Sequence, residues 1–232
     1  MTAGIADVST CAVAVDVALL TVRDERLSIL LVEPDTPDLD AAWALPGRRV
    51  RDDESLIDGA RRAVRELAGL AIPHAWLEQL ATYGEPQRDP HGRVVSVAYL
   101  ALVPDPEDPA PGDGRSAAFV AFEDLADHQP LAYDHDRILP DAVERARSKL
   151  EYTALATQFV EEPFTLGDLR RVYEAVWGES LDGANFRRKV VSTTDFVLPV
   201  DGEFRKRPGG GRPAQLYRRG TAERLHPAML RP

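Results

Sequence analysis

The stretch LPGRRVRDDESLIDGARRAVRELAGL, Leu45 to Leu70, predicts a polar loop that leads into one amphipathic helix. Ser55 followed by Asp58 is the pattern of a capping box, which starts a helix. Gly69 is placed to end the helix in a left-handed cap. The apolar stripe between these ends consists of Leu56, Ala60, Val64 and Leu67. A strand, a loop and then such a helix would present backbone amides and a helix N-terminus to an anion.

The same stretch is rich in guanidinium groups, which can bind phosphate by paired hydrogen bonds. They belong to Arg48, Arg49, Arg51 and Arg62. Three neighbouring acids, Asp52, Asp53 and Glu54, would neutralise the loop if it were only a solvated surface. Taken alone, these residues favour the solvated surface over an anion site.

The pattern of the stretch resembles the Nudix box, G-x5-E-x7-R-E-U-x-E-E-x-G-U, in which U is apolar. Aligned without gaps, the sequence keeps Glu54, Arg62, Val64, Glu66, Gly69 and Leu70. The preceding Trp43, Leu45, Pro46 and Gly47 also resemble the approach to that box. Three positions depart from it, because Arg48 replaces the glycine, Ala63 the glutamate after arginine, and Leu67 the last glutamate.

These departures remove most of the metal-binding face of the box. Positions 63, 66 and 67 lie on one side of the helix, where the family carries carboxylates that hold catalytic magnesium ions. Only Glu66 remains there, and Arg62 can pair with it. We therefore expect no catalytic residues, no dedicated metal site and no cofactor, and no efficient Nudix hydrolysis. Glu54 and Glu66 could still bind one magnesium ion weakly and leave trace activity.

A ligand pocket can remain where the metal-binding face is lost. With fewer carboxylates, the pocket repels the negative charge of a diphosphate less strongly. Tyr83–Val103 resembles the matching region of ADP-ribose-type Nudix proteins in its Arg88, Asp89 and Gly92. Leu131–Leu139 resembles a further segment of that subgroup. Its most specific residue, His135, fits equally well as a histidine at a helix start that the backbone satisfies. The residues expected to bind the ligand are Arg48, Arg49, Arg51, Glu54, Arg62, Glu66, Arg88, Asp89 and His135.

Charge divides the chain into an acidic body and a basic end. Residues 1–160 carry 15 Lys and Arg against 28 Asp and Glu, whereas residues 161–232 carry 13 against 10. Within residues 185–219 there are nine basic residues and three acidic ones. Such asymmetry indicates nucleic-acid binding at the basic end, with an ordinary solvated basic face as the equal alternative.

The basic end has the outline of a winged helix-turn-helix. Thr165 and Asp168 form a second capping box, whose helix is followed by Gly178 and then by a second helix at about Gly183–Val191. A strand-like FVLPV, the hairpin signal Asp201-Gly202 and a glycine-rich wing, RPGGGRP at 207–213, come next. The second helix would enter the major groove of DNA. The residues expected to contact DNA are Thr165, Asn185, Arg187, Arg188, Lys189, Arg205, Lys206, Arg207 and Arg212.

Two segments resemble the C-terminal domain of the Nudix-related transcriptional regulators, the NrtR family. They are FTLGDLRRVYEAVWGESLDGANFRRKV at 164–190 and GGGRPAQLYR at 209–218, and with the Nudix-like part the resemblance spans about residues 10–220. It implies a homodimeric repressor of NAD biosynthesis and salvage genes. The Nudix-like domain would sense ADP-ribose, which weakens the binding of operator DNA. Some relatives instead regulate sugar use.

The expected fold is α/β, a Nudix-like α/β/α sandwich with a mixed sheet followed by a C-terminal winged helix-turn-helix domain. The Nudix-like domain is placed at 1–150, the helical linker at about 136–160 and the winged helix at 158–225. Pro104–Gly114 is expected to be a loop, because proline and glycine dominate it. The expected strands of the first domain are Val13–Thr21, Leu27–Val32, Val94–Val103 and Ala117–Phe122.

Several classes of protein fall outside the pattern. The sequence shows no run of roughly 18 apolar residues for a membrane span and no secretory signal, so we expect a cytoplasmic protein that does not bind membranes. Cys11 is the only cysteine and is expected to be buried in a strand. The histidines have no metal-ligand spacing, and no G-x-S-x-G nucleophile motif occurs.

The functional hypothesis is a repressor that binds double-stranded operator DNA and responds to ADP-ribose or a related nucleotide. Binding near Arg48–Glu66 would change the relative orientation of the two wings of a dimer through the helical linker. Three alternatives remain: an active Nudix pyrophosphatase on ADP-ribose-like substrates, a sugar-responsive regulator of the same family, and a module whose winged helix binds proteins.

Overall fold

The computed structural model describes residues 10–35, 43–72, 76–112, 114–127, 130–206 and 213–231. Among these residues, no helix is long and apolar enough to cross a membrane.

A six-stranded mixed sheet forms the centre of the N-terminal domain. Its strands follow the order β4-β5-β1-β2-β6, and β3 pairs with β1 beside this path. β1 runs parallel to β5 and antiparallel to β2 and β3, which confirms the predicted mixed sheet. The strands are β1 (Ala12–Arg23), β2 (Arg26–Val32), β3 (Gly47–Arg49), β4 (Trp76–Tyr83), β5 (Val94–Leu102) and β6 (Ala117–Ala121).

The central strand is apolar on both faces, because helices cover the sheet on both sides. Val15, Val17 and Leu19 of β1 belong to one buried cluster, whereas Ala18 and Leu20 belong to the other. The sheet is therefore the middle layer of a three-layer sandwich.

The first covering helix is α1 (Leu56–Ala68), which begins and ends as predicted. The Ser55 hydroxyl accepts a hydrogen bond from the Asp58 amide at 3.3 Å, and Gly69 has a φ of 70°. The Asp58 carboxylate accepts from the Ser55 hydroxyl at 2.6 Å, so this cap lacks the return bond to the Ser55 amide that completes a capping box.

The second covering helix is α2 (His135–Tyr152), which is shorter than the predicted helical linker. Thr153 adopts an extended conformation, with φ of −131° and ψ of 158°, and ends it. A separate 3-10 helix, Ala154–Phe159, follows. The helix breaks there because the Thr153 hydroxyl accepts from the Leu155 amide at 3.4 Å and caps the second helix.

The C-terminal domain has the order of elements of a winged helix. It consists of β7 (Phe164–Thr165), α3 (Leu166–Trp177), α4 (Gly183–Ser192), β8 (Val197–Arg205) and β9 (Ala214–Arg219). The three strands form one sheet in the order β7-β9-β8. Thr165 and Asp168 make the full reciprocal capping box at the start of α3, at 2.7 and 3.2 Å, as predicted.

The predicted hairpin turn at Asp201-Gly202 is wrong. Both residues lie within β8, and Gly202 has a φ of 72° at an irregularity in the pairing with β9. Pairing resumes on the same strand at Phe204, so this glycine accommodates a bulge rather than a chain reversal. Of the predicted wing 207–213, residues 207–212 lie outside the described residues.

Three further details differ from the sequence-based expectations. β3 lies in a stretch expected to be loop, but three polar or glycine residues suffice for a strand when β1 supplies the partner. β4 is an additional strand, which the sequence does not predict since WLEQLATY lacks a clear alternation of apolar residues. Cys11 is exposed and precedes β1, because the buried part of that strand begins only at Ala14.

α2 joins the two domains through its C-terminal half. The hydroxyl of Tyr173 on α3 donates to the Leu150 carbonyl oxygen at 3.2 Å. The indole of Trp177 donates to the Arg147 carbonyl oxygen at 3.3 Å, and the Arg147 guanidinium donates to the Val176 carbonyl oxygen at 2.9 Å. One apolar cluster continues from the sheet through α2 into α3 and α4. A shift of α2 would therefore displace the residues of the winged helix that contact it.

Replacing Tyr173 by alanine is expected to destabilise both domains together. Tyr173 is fully buried and packs edge-on against Trp177 and Phe186, with ring centroids 4.8 and 5.4 Å away. Removing such a ring from a core costs roughly 3–5 kcal/mol of unfolding free energy. Urea unfolding followed by fluorescence and circular dichroism measures the loss. The exposed Val191→Ala on α4 serves as control, and a variant that unfolds the winged helix while the sheet domain keeps its midpoint would contradict the shared core.

Candidate ligand cavity and candidate nucleic-acid interface

A buried cluster of charged residues surrounds Asp16 in the first half of β1. The Asp16 carboxylate accepts from the Arg88 guanidinium at 3.0 Å and from the Ser96 hydroxyl at 2.5 Å. Arg88 also donates to Asp134, at 2.7 and 3.1 Å. Burial by itself would raise the pKa of Asp16, but His135, Ser96 and Arg88 outweigh it, so the pKa lies below its usual value. Asp16 is therefore a carboxylate that holds the Arg88 guanidinium in position.

His135 lies beside this cluster at the first position of α2. Its side chain is almost fully buried, and Nδ1 accepts a hydrogen bond from the Leu45 amide at 2.9 Å. The other ring nitrogen, Nε2, lies 3.4 Å from Asp16 Oδ1. The backbone thus satisfies Nδ1 of His135, as expected for a histidine at the start of a helix. Nε2, on the other side of the ring, faces Asp16.

Gly47 lets β3 approach the cluster closely. It pairs with Asp16 across the two strands, and a Cβ at this position would be 2.1 Å from Asp16 Oδ1 and 3.0 Å from the Val15 carbonyl oxygen. Only glycine avoids this clash. The close approach places the following residues, Arg48 and Arg49, at the same end of the sheet.

A cavity of about 390 Å³ opens beside these residues, within the size range of small-molecule sites. Of the residues predicted to bind the ligand, the lining brings together Arg48, Arg49, Arg88, Asp89 and His135. It does not include Arg51, Glu54, Arg62 and Glu66. Further polar or charged lining residues, which the sequence-based prediction missed, are Asp16, Glu33, Asp35, His91 and Tyr133.

The three lining arginines differ in how firmly they are held. Arg88 has a side chain only 4% exposed between two carboxylates, and Arg48 pairs with Asp35 and Glu66. The Arg49 side chain is 61% exposed, and its ion pair with Asp89 is long, at 4.0 Å. The Arg49 side chain can therefore turn towards an anionic ligand at little cost in free energy, because the ion pair that it leaves is weak.

The four predicted residues outside the lining form an ionic cluster between α1 and the loop that precedes it. Arg62 donates to Glu54 at 2.6 and 2.9 Å and to Glu66 at 3.2 Å. Arg51 donates to Glu66 at 3.3 Å. The hydrogen bonds from Arg62 lower the pKa of Glu54 to about 2. Both glutamates that remain from the Nudix box are thus occupied by arginines.

A divalent cation does not fit this face of α1. Ala63 is fully buried and Leu67 nearly so, and neither offers an oxygen ligand. Within the described part of the chain, no group of three or more His, Cys, Asp or Glu side chains is placed to hold a metal ion. A hard cation needs several oxygen ligands, whereas arginines already engage Glu54 and Glu66.

The residues that the sequence-based prediction missed had only weak signals. Asp16 is the one charge in the apolar run AVAVDVALL, 12–20, and a charge within a buried strand indicates a paired site. Asp134 stands next to His135 in a segment already singled out, but only the fold shows that it faces Arg88.

The candidate nucleic-acid interface is a groove of about 1060 Å³ between α3, α4 and the strands β8 and β9. Of the predicted DNA contacts, Thr165, Arg187, Arg205 and Lys206 line it. The charged residues of the lining are Asp168, Arg170, Arg171, Arg187, Arg205 and Lys206. The excess of basic side chains suits a phosphate backbone.

Other predicted DNA contacts lie beside the groove or outside the described residues. Asn185 and Arg188 are exposed on α4 and bonded to each other at 2.7 Å. The Lys189 ammonium donates to the Leu230 carbonyl oxygen at 3.2 Å. Arg207 and Arg212 are outside the described residues.

Two of the predicted DNA contacts in the groove also make structural bonds. Thr165 is only 8% exposed, and its hydroxyl accepts the capping bond from Asp168, which leaves it little room to meet DNA. Arg205 donates to Asp168 at 2.8 Å and to the Pro163 carbonyl oxygen at 3.0 Å. The prediction missed Arg170 and Arg171, which share the groove although they lie on the first helix of the domain.

Two family models match successive parts of the chain. The NUDIX domain matches residues 12–142, and the NrtR DNA-binding winged helix domain matches residues 156–219. A relative described as the ADPR responsive transcriptional repressor NtrR of Acinetobacter baylyi is 33% identical over 220 residues, which cover 88% of this chain and 80% of that protein. An ADP-ribose pyrophosphatase of Methanocaldococcus jannaschii is 33% identical over 130 residues, covering 56% of this chain and 72% of that protein.

Solved structures agree with these matches. Shewanella oneidensis NrtR complexed with a 27mer DNA is similar with a TM-score of 0.70 and 32% identity, over 89% of this chain and 93% of that one. The NUDIX domain of the same protein, complexed with ADP ribose, is similar with a TM-score of 0.54 and 31% identity, over 60% of this chain and 90% of that one. The chain belongs to the NrtR family of Nudix-related transcriptional regulators.

Proposed function

We propose that this protein is a transcriptional repressor that binds operator DNA through its winged helix and releases it when ADP-ribose binds to the Nudix domain. The observation that carries the proposal is the pairing, in one chain, of an arginine-lined cavity without a metal-binding carboxylate cluster among the described residues and a basic winged-helix groove. The first suits a sensor of an anionic nucleotide, and the second suits a reader of DNA.

The cavity supports a nucleotide diphosphate as effector. Arg49 is exposed at the lining, Arg48 is beside it, and the half-buried Tyr133 offers an aromatic surface. Arginine binds phosphate oxygens by paired hydrogen bonds, and an aromatic ring can stack on a base or ribose. The Shewanella NUDIX domain that was solved with ADP ribose supports the choice of this ligand.

The protein binds its effector without efficient hydrolysis in this proposal. Arg62 and Arg51 occupy the two remaining box glutamates, and Ala63 and Leu67 offer no ligand to magnesium. The similarity to the Methanocaldococcus pyrophosphatase favours a second candidate, an active ADP-ribose pyrophosphatase with unconventional metal ligands. The two differ in whether ADP-ribose is cleaved.

Operator binding requires basic groups that reach phosphates and bases. Arg187 on α4 and Arg205 and Lys206 at the end of β8 line the groove from two sides, as expected for a recognition helix and a wing. We infer that the protein acts as a homodimer in the cytoplasm on palindromic operators of NAD biosynthesis or salvage genes. The NrtR structure complexed with DNA supports the mode of binding.

Effector and DNA can be coupled only if ADP-ribose prefers one arrangement of the two domains. α2 is placed to carry this preference, because His135 at its first residue lines the cavity and Leu150 near its end contacts α3. A ligand that disturbs the Arg88–Asp134 ion pair would act on the start of the same helix.

The central experiment is a DNA-binding titration on fragments from the protein's own upstream region and from NAD-biosynthesis promoters, with and without ADP-ribose. The same samples, supplied with magnesium, are assayed for ADP-ribose cleavage. We expect specific binding that ADP-ribose weakens by about fivefold to 150-fold, without cleavage. Metal-dependent cleavage without specific DNA binding would establish the pyrophosphatase instead.

Arg49→Ala is expected to weaken ADP-ribose binding, because it removes the most exposed of the three lining arginines. A charge-assisted hydrogen bond contributes about 1.5–3 kcal/mol, so the dissociation constant should rise roughly tenfold to 100-fold in isothermal titration calorimetry. Arg61→Ala removes the same charge from α1 outside the cavity lining and is the matched control. Equal affinities for the two variants would show that the effector binds elsewhere.

Arg187→Ala is expected to weaken operator binding and to flatten its dependence on salt. For each phosphate that the variant no longer neutralises, the slope of log K against log salt should become shallower by about 0.9. The exposed Arg65→Ala on α1 carries the same charge change far from the groove and should leave the slope unchanged. Fluorescence anisotropy across a salt series measures both, and a slope unaltered in Arg187→Ala would place the DNA on another surface.

A further inference from the structure

The segment 220–231 returns from β9 to the linker helix α2. The Leu225 amide donates to the Tyr152 carbonyl oxygen at 2.9 Å, and the Met229 amide donates to the Glu151 carbonyl oxygen at 2.8 Å. Leu225 and Met229 are buried in the apolar cluster that both domains share. The match to the winged helix domain ends at residue 219, so this segment follows the matched region.

Arg231 fixes the segment to one side of α2. Its guanidinium donates to Glu144 at 2.7 and 3.1 Å, as a fork, and to Glu151 at 2.7 Å. The hydrogen bonds from Arg231 also lower the pKa of Glu144. A two-pronged contact of this kind sets direction as well as distance.

The neighbouring residue fixes the segment to the recognition helix. The carbonyl oxygen of Leu230 accepts from the Lys189 ammonium on α4 at 3.2 Å. Leu230 and Arg231 are adjacent, so a single peptide unit links α4 to α2. Any displacement of α2 that carries Arg231 along must also move the partner of Lys189.

The other end of α2 reaches the ligand cavity. Asp134 precedes its first turn and is held by Arg88, and His135 lines the cavity. A helix rises about 1.5 Å per residue, and α2 continues from His135 to Tyr152 although Pro140 lies inside it, so a displacement of its first turn can pass along its length. Glu144 lies in the middle of the same helix, and Glu151 lies near its far end.

The ion pair between Arg231 and Glu144 is separable from folding, whereas the pair with the buried Glu151 contributes more to stability. The Glu144 side chain is 57% exposed, and exposed ion pairs contribute little to stability, so Glu144→Gln tests the contact without leaving Glu151 unpaired. The buried Leu225 and Met229 hold the segment in place without them. Loss of the guanidinium should therefore loosen the connection between the helices without unfolding the domain.

We propose that the segment 220–231 couples the effector cavity to the recognition helix, with Arg231 as the residue that positions it between α2 and α4. ADP-ribose shifts α2, Arg231 follows Glu144 and Glu151, and Leu230 then moves Lys189 and α4 relative to the groove. This inference rests on the proposed function, because it supplies the route by which the same cavity acts on DNA.

Hydrogen–deuterium exchange of the full chain without DNA tests the route. In the unaltered protein, ADP-ribose should change the exchange rates of both α2 and α4. In Arg231→Ala the response of α2 should persist, while the response of α4 should fall by about threefold to tenfold. Glu144→Gln breaks the same contact from α2, leaves the segment intact and should act alike. The control Arg224→Ala removes an equal charge from an exposed side chain of the same segment and should change neither response.

A titration with operator DNA provides the second readout. The factor by which ADP-ribose weakens operator binding should fall towards one in Arg231→Ala and Glu144→Gln, by about threefold or more. A merely structural role would instead lower the DNA affinity equally with and without ADP-ribose and leave that factor unchanged.

The outcomes separate the route from the function. If α4 responds to ADP-ribose as strongly in both variants as in the unaltered protein, the route through Arg231 is overturned and the repressor function stands. If α2 responds and α4 does not in the unaltered protein, coupling through this segment is likewise overturned, although the effector binds. If neither helix responds in the unaltered protein, the proposed effector fails and the inference fails with it.

Discussion

The buried contact between Asp16 and Arg88 is the constraint on which the rest of the ligand domain depends. A carboxylate in the middle of an apolar strand is costly unless it is paired and hydrogen-bonded, and Arg88 and Ser96 meet that requirement. The same guanidinium holds Asp134 at the start of α2. Gly47 must lack a side chain so that β3 can lie against Asp16. One ion cluster thus sets the sheet end, the cavity wall and the position of the linker helix.

The altered Nudix helix meets the same requirement at its two box glutamates, Glu54 and Glu66, both of which accept from arginines. With Ala63 and Leu67 buried against the sheet, this face adds to the core instead of holding cations. Arg62 donates to both Glu54 and Glu66, so the charges of these two glutamates are balanced within the protein. The loop and the helix of the box are present, whereas Ala63 and Leu67 offer no oxygen ligand to a magnesium ion.

The arrangement of the domains explains how a binding event in the cavity can reach DNA. α2 packs on the sheet with one half and on α3 with the other, and Tyr173 and Trp177 bond to its carbonyl oxygens. Two domains that share one apolar cluster cannot move independently. If a flexible linker joined the domains, ligand binding would not change the orientation of the winged helix. A helix packed against both domains can favour one orientation over another.

The sequence by itself determined the features that depend on local spacing: α1 with its Gly69 cap, the box at Thr165, the two helices of the winged domain and the missing carboxylates. Local hydrogen bonds and helical periodicity suffice for these. Only the tertiary structure decided which charged residues far apart in the sequence meet. The loop between β4 and β5 brings Arg88 to Asp16, 72 residues away, and Arg62 of α1 lies outside the cavity lining. It also placed Gly202 in a bulge of β8. No chain reversal occurs there, because the residues before and after Gly202 both pair with β9.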